Sequence, residues 1–586
     1  MSLFQLIGQF ARRHWRAYLY SMLMLTTIGA LTVWIPRHVG WIVDGLASGQ
    51  LKNDALALPL LWLLLAGIVI YACRVGWRMQ LFAASYRLGM ELRTRLYARL
   101  AAQGPSFFQQ QRTGDLMALA TNDVDAVEMA VGEAFLAGFD GTMTLIMVVA
   151  MMSMAIAWEL TLVALAPFPL MALAFWVISN RIHQASTESL NAFSALNDHT
   201  QEALAGVRTL RSLGLDGTSA RQFSELAERA AATGLKAQRW EAAYEPAVGL
   251  TLVAAAVLTL GVGGMLVWEQ RITLGELTAF SMYLGQLIWP MFAAGWVLAL
   301  MERGKAAWQR LQPILDAPIT LPDEGEVAAI QLPVDPADGA IAFDAVRWVY
   351  PGQETPALDG LSLRLPTGRT LGIVGPTGAG KSSIVRLLLR QYEPAQGAVR
   401  WNGLELPAYR LETLHNAISW VPQEPFLFSA TVAENIALSK PAASRGEVER
   451  VARLAAIHDD ILRFPKGYET PVGERGVTLS GGQRQRIAIA RALLTEAPLL
   501  LLDDALSAVD TQTETTILAH LRESRKERSA VIVSHRLSAV MDADEILVLQ
   551  QGHVVEQGNH DELLARDGWY ARQWRYQQLE ASLEAA

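Results

Sequence analysis

Leu479-Ser480-Gly481-Gly482-Gln483 precedes a helical apolar pattern, Ile487-Ala488-Ile489-Ala490, and then an apolar strand, Leu499 to Leu502, that ends in Asp503. Upstream, Thr370 to Val374 reads as a strand that runs into Gly375-Pro376-Thr377-Gly378-Ala379-Gly380-Lys381-Ser382-Ser383, and Ile384 to Leu389 then opens a helix. A glycine-rich turn between strand and helix exposes backbone N–H groups that can surround phosphate oxygens. Lys381 adds a positive charge, and Ser382 adds a hydroxyl suited to Mg²⁺. The helix N-terminus favours the same anion. Ser480, with the glycine N–H groups and the helix that follows, forms a second anion-binding arrangement of the same kind. These stretches mark an α/β nucleotide-binding unit in the C-terminal half.

The rest of the chain is of a different nature. At 586 residues it is too long for one domain, and it is 52% hydrophobic with only 18% charged residues. That composition points to a membrane. The net charge of −8 argues against nucleic acid as a partner. Cys73 is the only cysteine, so no internal disulfide framework exists. Arg12, Arg13 and Arg16 flank the first apolar run without a small-residue cleavage site, so no cleavable signal is expected. Apolar segments fall at about 17–41, 55–77, 131–157, 159–179, 246–269 and 277–301, each supplying the roughly 20 residues that a bilayer core demands. Helix is their expected state, because lipid offers no partner to a free backbone group. Ahead of them, Leu3 to Trp15 reads as an amphipathic helix lying at the membrane surface.

The joints between segments 1 and 2, 3 and 4, and 5 and 6 are short. The stretches between 2 and 3 and between 4 and 5 are long and rich in arginine, from Arg74 to Arg112 and from Arg181 to Arg221. The positive-inside rule places these long stretches and both termini in the cytoplasm. They contain few helix breakers, so they read as helical hairpins reaching about 37 Å beyond the membrane. Pro313, Pro318, Pro322, Pro333 and Pro336 interrupt helix over 312–340, which reads as a linker. Strand and helix patterns then alternate from 341 to 572. The expected order is a surface helix over 1–16, a membrane domain over 17–311, the linker, the nucleotide-binding domain over 341–572 and a tail over 573–586.

Taken together, the motifs resemble the ATP-binding-cassette (ABC) transporters of the exporter type, with very specific matches in the nucleotide-binding domain. The resemblance implies a multidomain fold: a six-helix α transmembrane domain with long cytoplasmic helical hairpins, followed by an α/β P-loop domain. It implies ATP and Mg²⁺ as ligands. Tyr350 would stack on adenine, and Gly375 to Ser383 would hold the phosphates. Ser382, Gln423 and Asp503 would serve the metal, and Gln423 would also contact the attacking water and report nucleotide state to the membrane helices. His535, in Val533-Ser534-His535-Arg536, matches the switch histidine that contacts the γ-phosphate. Ser507-Ala508-Val509-Asp510 matches a loop that communicates across a dimer. Thr470 to Gly476 resembles the exporter-specific loop ahead of the signature. Arg112 to Asp125 and Asn197 to Gly214 resemble the two coupling regions. In this family Ser480, Gly481, Gly482 and Gln483 cap the γ-phosphate held by another subunit, so a chain with one membrane domain and one ATPase domain must pair.

One residue departs from the pattern. The family normally carries Glu after the Walker B aspartate, where it polarises the attacking water, and this chain has Asp504. Asp is one methylene shorter, which withdraws the carboxylate by about 1 Å and can cost on the order of 100-fold in rate. Asp504 beside an intact signature resembles the degenerate-site member of the bacterial multidrug-resistance-like half-transporters of the Mdl/Smd type. The resemblance implies a heterodimer in the inner membrane that moves small amphipathic compounds outward. The alternatives are a homodimer in which Asp504 is a working base, an importer on the same fold, and a nucleotide-gated channel or sensor. Asp140 is a carboxylate placed within a crossing segment, well inside its end, where a hydrogen bond to a neighbouring helix is expected. Met143, Met147, Met151, Met152 and Met154 read as core packing.

Overall fold

The computed structural model describes residues 2–51, 53–330, 340–473, 479–524 and 528–584. The chain divides into two units, one formed by 1–99 and 114–317 and the other by 100–113 and 318–586.

Among the described residues of the first unit, six helical spans are long and apolar enough to cross a membrane: Trp15–Ala47, Ala57–Ala101, Thr113–Ile156, Trp158–Ala205, Asp216–Trp268 and Leu274–Leu315. The apolar segments expected from sequence fall on these spans, one to each. The third and fourth spans part at Ala157, whose extended backbone (φ −156°, ψ 121°) breaks the helix one residue ahead of the expected joint. The last helix continues through Pro313 to Leu315, past the start expected for the linker. The proline forfeits one helical hydrogen bond and crowds the carbonyl four residues earlier, and the helix ends two residues after it. Three π-helical turns, Leu119–Asp123, Ala130–Ala134 and Met151–Ile156, interrupt the third span. The helix Leu3–Arg13 opens with a capping box between Ser2 and Gln5. Its apolar residues Leu3, Leu6 and Phe10 are buried against the bundle, and Phe4 is left exposed.

Small residues bring these helices together, as expected where lipid supplies no hydrophobic drive between them. A Cβ on Gly275 would collide with the Gly40 carbonyl oxygen and with the Asp44 carboxylate, and one on Gly304 would meet Ala130. Asp44 uses the close approach. Its Oδ1 accepts the Gly275 N–H at 2.7 Å and its Oδ2 accepts the Thr273 hydroxyl at 2.6 Å, capping the helix Leu274–Gln286 from another element. Buried phenols tie helix to helix: Tyr283 donates to the Val33 carbonyl at 2.6 Å and Tyr18 to that of Val131 at 3.2 Å.

The second unit contains the tip of the first hairpin. Pro105–Gln110 is a short helix with its proline in the first turn. The turn therefore precedes Arg112, and Thr113 to Asp125 already belong to the returning helix. The second expected coupling region contains the helix Val207–Ser212 and a turn at Gly214, where φ is +67°. The linker is built as a strap. Gln103 donates to the Pro318 carbonyl at 3.0 Å and accepts the Thr320 N–H at 3.2 Å. Arg390 then holds the Pro322 carbonyl at 3.0 Å, and Asp323 accepts the Leu411 N–H at 2.8 Å.

Ten strands follow among the described residues: β1 Ala340–Trp348, β2 Leu358–Pro366, β3 Thr370–Val374, β4 Gln396–Trp401, β5 Leu404–Glu405, β6 Ile418–Val421, β7 Leu499–Asp503, β8 Ser529–Val533, β9 Glu545–Gln550 and β10 His553–Gly558. They form an antiparallel sheet of order β2-β1-β4-β5 and a sheet of order β10-β9-β3-β8-β7-β6. From β9 to β6 every pairing in the second sheet is parallel. Strands covered on both faces need continuous apolar runs, and all five residues of β7 are buried. One core fills the space between the sheets, from Ile341 and Leu363 through Ile384 to Leu501. A second lies on the opposite face, under the helix Gly481–Leu494.

Gly275→Val is expected to destabilise the membrane unit by about 2 kcal/mol through overpacking. Thermal unfolding in detergent should show its midpoint lowered by about 4–8 °C.

Candidate functional site

Parallel pairing sets the site. β3, β8, β7 and β6 are neighbours running the same way, so their carboxyl ends lie along one edge, about 14 Å from first to last at ordinary strand spacing. The residues that leave those ends are Gly375, Ser534-His535, Asp503-Asp504 and Gln423. Crevices outside the carboxyl ends of such strands are where α/β sheets bind ligands.

The turn after β3 needs glycine at three points. φ is +149° at Gly375, +81° at Gly378 and +100° at Gly380. A Cβ on Gly375 would collide with the Leu549 carbonyl oxygen and one on Gly380 with that of Ala357. Pro376, Thr377 and Gly378 are exposed at the tip, while Ala379 is buried. Lys381 opens the helix Lys381–Leu388 and is only 6% exposed. Its ammonium donates to the carbonyls of Gly375 at 2.8 Å and Pro376 at 2.9 Å. Burial pushes its pKa down, and the charges of Asp504 and Asp503 oppose that shift. The Ser382 hydroxyl donates to Asp503 Oδ1 at 2.9 Å. Burial pushes the Asp503 carboxyl up, while the Ser382 bond and the Arg386 charge pull it down.

This cradle fits a phosphate with Mg²⁺. It has a buried ammonium at the loop, a hydroxyl and a carboxylate already side by side, and glycines where any side chain would obstruct the backbone. Among the described residues no group of three or more His, Cys, Asp or Glu could hold a metal alone. An ion bound mainly by phosphate oxygens and water needs none.

Tyr350 lies beside the same helix. Its hydroxyl accepts from Arg386 at 2.7 Å and sits 3.3 Å from the Ser383 hydroxyl. Its ring meets those of Trp348 and Tyr392, with centroids 3.9 and 6.0 Å away. The expected adenine platform is thus already part of an aromatic cluster.

Asp504 follows β7 in left-handed backbone, φ +49°. Short polar side chains that bond locally are the non-glycine residues that reach that region. Its N–H extends the pairing of β7 with β8 by bonding the Val533 carbonyl at 2.8 Å. Its carboxylate faces the His535 N–H, with 3.4 Å between Oδ1 and N. The His535 and Gln423 side chains are both exposed at the strand ends.

Ser480 and Gln483 form a capping box. The Ser480 hydroxyl accepts the Gln483 N–H at 3.2 Å, and the Gln483 side chain accepts the Ser480 N–H at 3.0 Å. Gly482 is required because a Cβ there would lie 2.8 Å from the Ala508 carbonyl oxygen. Among the described residues no hydrogen bond or ion pair joins Ser480 to Gln483 with the turn at 375–383. Asp510 caps the helix Thr511–Ser524 by accepting the Thr513 N–H at 2.9 Å, and that bond holds its carboxyl below the usual range. Glu474 to Gly476, in the expected exporter-specific loop, lie outside the described residues.

Two contributors were not legible in the motifs. Gln485 is 1% exposed; its amide donates to the Asp504 carbonyl at 3.1 Å and accepts the Ala508 N–H at 2.9 Å. It ties the signature helix to Asp504 and to the turn after it. A glutamine one turn before Ala488 on the apolar face of its helix is the signal that could have marked it. Arg386, which holds Tyr350, gave no such signal, because its partner is distant in sequence.

The membrane unit has a cavity of about 490 Å³ lined by Arg74, Trp77, Phe82, Asp140, Trp289 and Trp296 among others. Asp140 accepts the Trp289 indole N–H at 2.9 Å, the expected hydrogen bond to a neighbouring helix. Met152 is fully buried and Met154 is 88% exposed, so core packing accounts for only part of the methionine cluster.

Residues 18–291 match the family described as ABC transporter transmembrane region, and residues 358–507 match the one described as ABC transporter. The chain belongs to the ABC transporters. It is 42% identical to the multidrug resistance-like ATP-binding protein MdlA of Escherichia coli (strain K12), over 100% of this chain and 98% of that protein. It is 38% identical to the probable multidrug resistance ABC transporter ATP-binding/permease protein YheI of Bacillus subtilis (strain 168), over 99% and 98%. A solved bacterial Atm1-family ABC exporter with ATP bound superposes with a TM-score of 0.76 at 28% identity, over 96% of this chain and 98% of that one. The ABC exporter fold expected from sequence is therefore the observed one.

Gln485→Leu would leave the Ala508 N–H without its partner at a cost of about 2 kcal/mol. Hydrogen exchange at Ala508 should accelerate by about 30-fold; an unchanged rate would mean that Gln485 does not hold this turn.

Proposed function

We propose that this ABC exporter works as one half of a heterodimer in the inner membrane, with both termini cytoplasmic, and that it expels small amphipathic compounds. The observation that carries the asymmetric reading is Asp504, which stands where the family has Glu, on left-handed backbone, with its carboxylate turned to the His535 N–H.

In this reading the turn Gly375 to Ser383 binds the ATP phosphates, with Lys381 swinging from the Gly375 and Pro376 carbonyls to the incoming charge. Ser382, Asp503 and Gln423 order Mg²⁺, which when bound neutralises charge developing on the phosphates. Tyr350 stacks on the base, and His535 reads the γ-phosphate. Asp504 is one methylene short of the attacking water, so this site hydrolyses slowly. Ser480 to Gln483 present an exposed helix N-terminus to the phosphates bound by the partner, and Asp510 lies at the same dimer face. The partner's site then performs most turnover. ATP favours the closed pair of nucleotide domains, and that difference in affinity drives the membrane helices outward. The tryptophan-lined cavity with its embedded Asp140 and Arg74 suits molecules with an apolar body and a polar group. The names of the relatives in Escherichia coli and Bacillus subtilis agree with a multidrug-like substrate range.

ATPase assays of the chain purified alone, of Asp504→Glu, and of a preparation with its partner test this reading. The lone chain should be nearly inert, Asp504→Glu should raise its rate by about 10- to 100-fold, and the pair should turn over whether position 504 is Asp or Asn. A lone chain that hydrolyses well and is silenced by Asp504→Asn would instead make Asp504 a working base in a homodimer.

A further inference from the structure

The last helix, Trp569–Glu584, starts inside the expected nucleotide-binding domain and runs on through the stretch expected as a tail, and it is firmly attached. Tyr570 is fully buried, and its hydroxyl lies 2.7 Å from His560 Nδ1. The Glu556 carboxylate, on β10, accepts the N–H groups of Trp569 at 2.5 Å and Tyr570 at 3.2 Å, which fixes the start of the helix. Two turns beyond Tyr570, Gln577 reaches the turn that follows β8. Its Nε2 donates to the His535 carbonyl at 2.8 Å, and its Oε1 accepts the Leu537 N–H at 2.9 Å. One partner is an acceptor and the other a donor, so the chemistry fixes which way the amide points.

The same turn is held from its other sides. The His535 N–H faces the Asp504 carboxylate, with 3.4 Å between N and Oδ1. Arg536 bonds Glu514, which is 1% exposed, at 2.5 Å and the Val509 carbonyl at 3.2 Å. The His535 side chain is exposed, and among the described residues no hydrogen bond holds its ring. With the ring itself unheld, the backbone sets where the imidazole is attached and the space it can reach, and Gln577 spans that backbone from His535 to Leu537.

We propose that Gln577 is a positioning residue for His535: the C-terminal helix aims the histidine at the γ-phosphate by clamping the turn that carries it. The inference rests on the reading of His535 given above. An amide with both a donor and an acceptor is needed. A side chain that only fills the space releases both ends of the turn, and one that only accepts releases the His535 end.

The test is equilibrium binding of ATPγS and of ADP, each with Mg²⁺, to the full-length chain in lipid nanodiscs. In the reading given above His535 meets the γ-phosphate alone, so its aim is read as the preference for ATPγS over ADP. Gln577→Leu should lower that preference about fivefold, the size of one net hydrogen bond, with ADP affinity unchanged. The isosteric Gln577→Glu, which sets an oxygen against the His535 carbonyl, should lower it similarly. Combined with His535→Ala, Gln577→Leu should cause no further loss, because both changes remove the same contact. Retained preference in both Gln577 variants, or losses that add in the double variant, would overturn the proposal. If His535→Ala leaves the preference intact, the assignment of His535 fails and this inference fails with it.

Discussion

The nucleotide unit depends on the parallel pairing of β3, β8, β7 and β6. Residues at 375, 423, 503 and 535 are separated by long stretches of chain, and nothing local brings them together. Register does so. Asp503 pairs with Val533 and Ile373 with the same residue, so the three strands end level and release their loops at one edge. A parallel sheet must be buried on both faces, and that requirement explains why β7 is a run of leucines ended by a carboxylate. The apolar run fixes the strand, and its end places the first charge where the sheet opens to solvent.

Around this edge the polar groups are arranged in pairs that hold one another before any ligand arrives. Lys381 rests on two carbonyls, Ser382 on Asp503, Tyr350 on Arg386, and Gln485 joins Asp504 to Ala508. While Lys381 has to exchange its two carbonyls for a ligand, the arrangement fixes Tyr350 and Asp504 beforehand, which lowers the ordering cost on binding. It also makes Asp504 a junction, since its carbonyl, N–H and carboxylate contact the signature helix, β8 and the histidine turn respectively.

The membrane unit obeys a different constraint. Its helices satisfy their own backbones, so the apolar runs alone reveal the crossings. How closely helices approach depends on pairs such as Gly40 with Gly275, which a one-dimensional reading cannot pair. The cap that Asp44 places on the helix Leu274–Gln286 was equally hidden, because Asp44 reads locally as a loop carboxylate. The joint at Ala157 differed from expectation for a similar reason. Trp158 and Glu159 look like an interfacial loop, but they suit the first turn of a helix, where an acidic side chain favours the positive end of the dipole.

The sequence by itself determined the six crossings, the nucleotide-binding unit, the glycine-rich turn after β3 and the substitution at 504. Each is written in a contiguous stretch, by hydropathy, by glycine where backbone must bend, or by one carboxylate of unexpected length. Tertiary structure decided which way the Asp504 carboxylate turns, what Gln485 and Gln577 hold, and that the linker is a strap pinned by Gln103 and Arg390. Those side chains have no motif. They act on backbone groups far away in the chain, and a hydrogen bond between distant elements exists only once burial has brought both ends together.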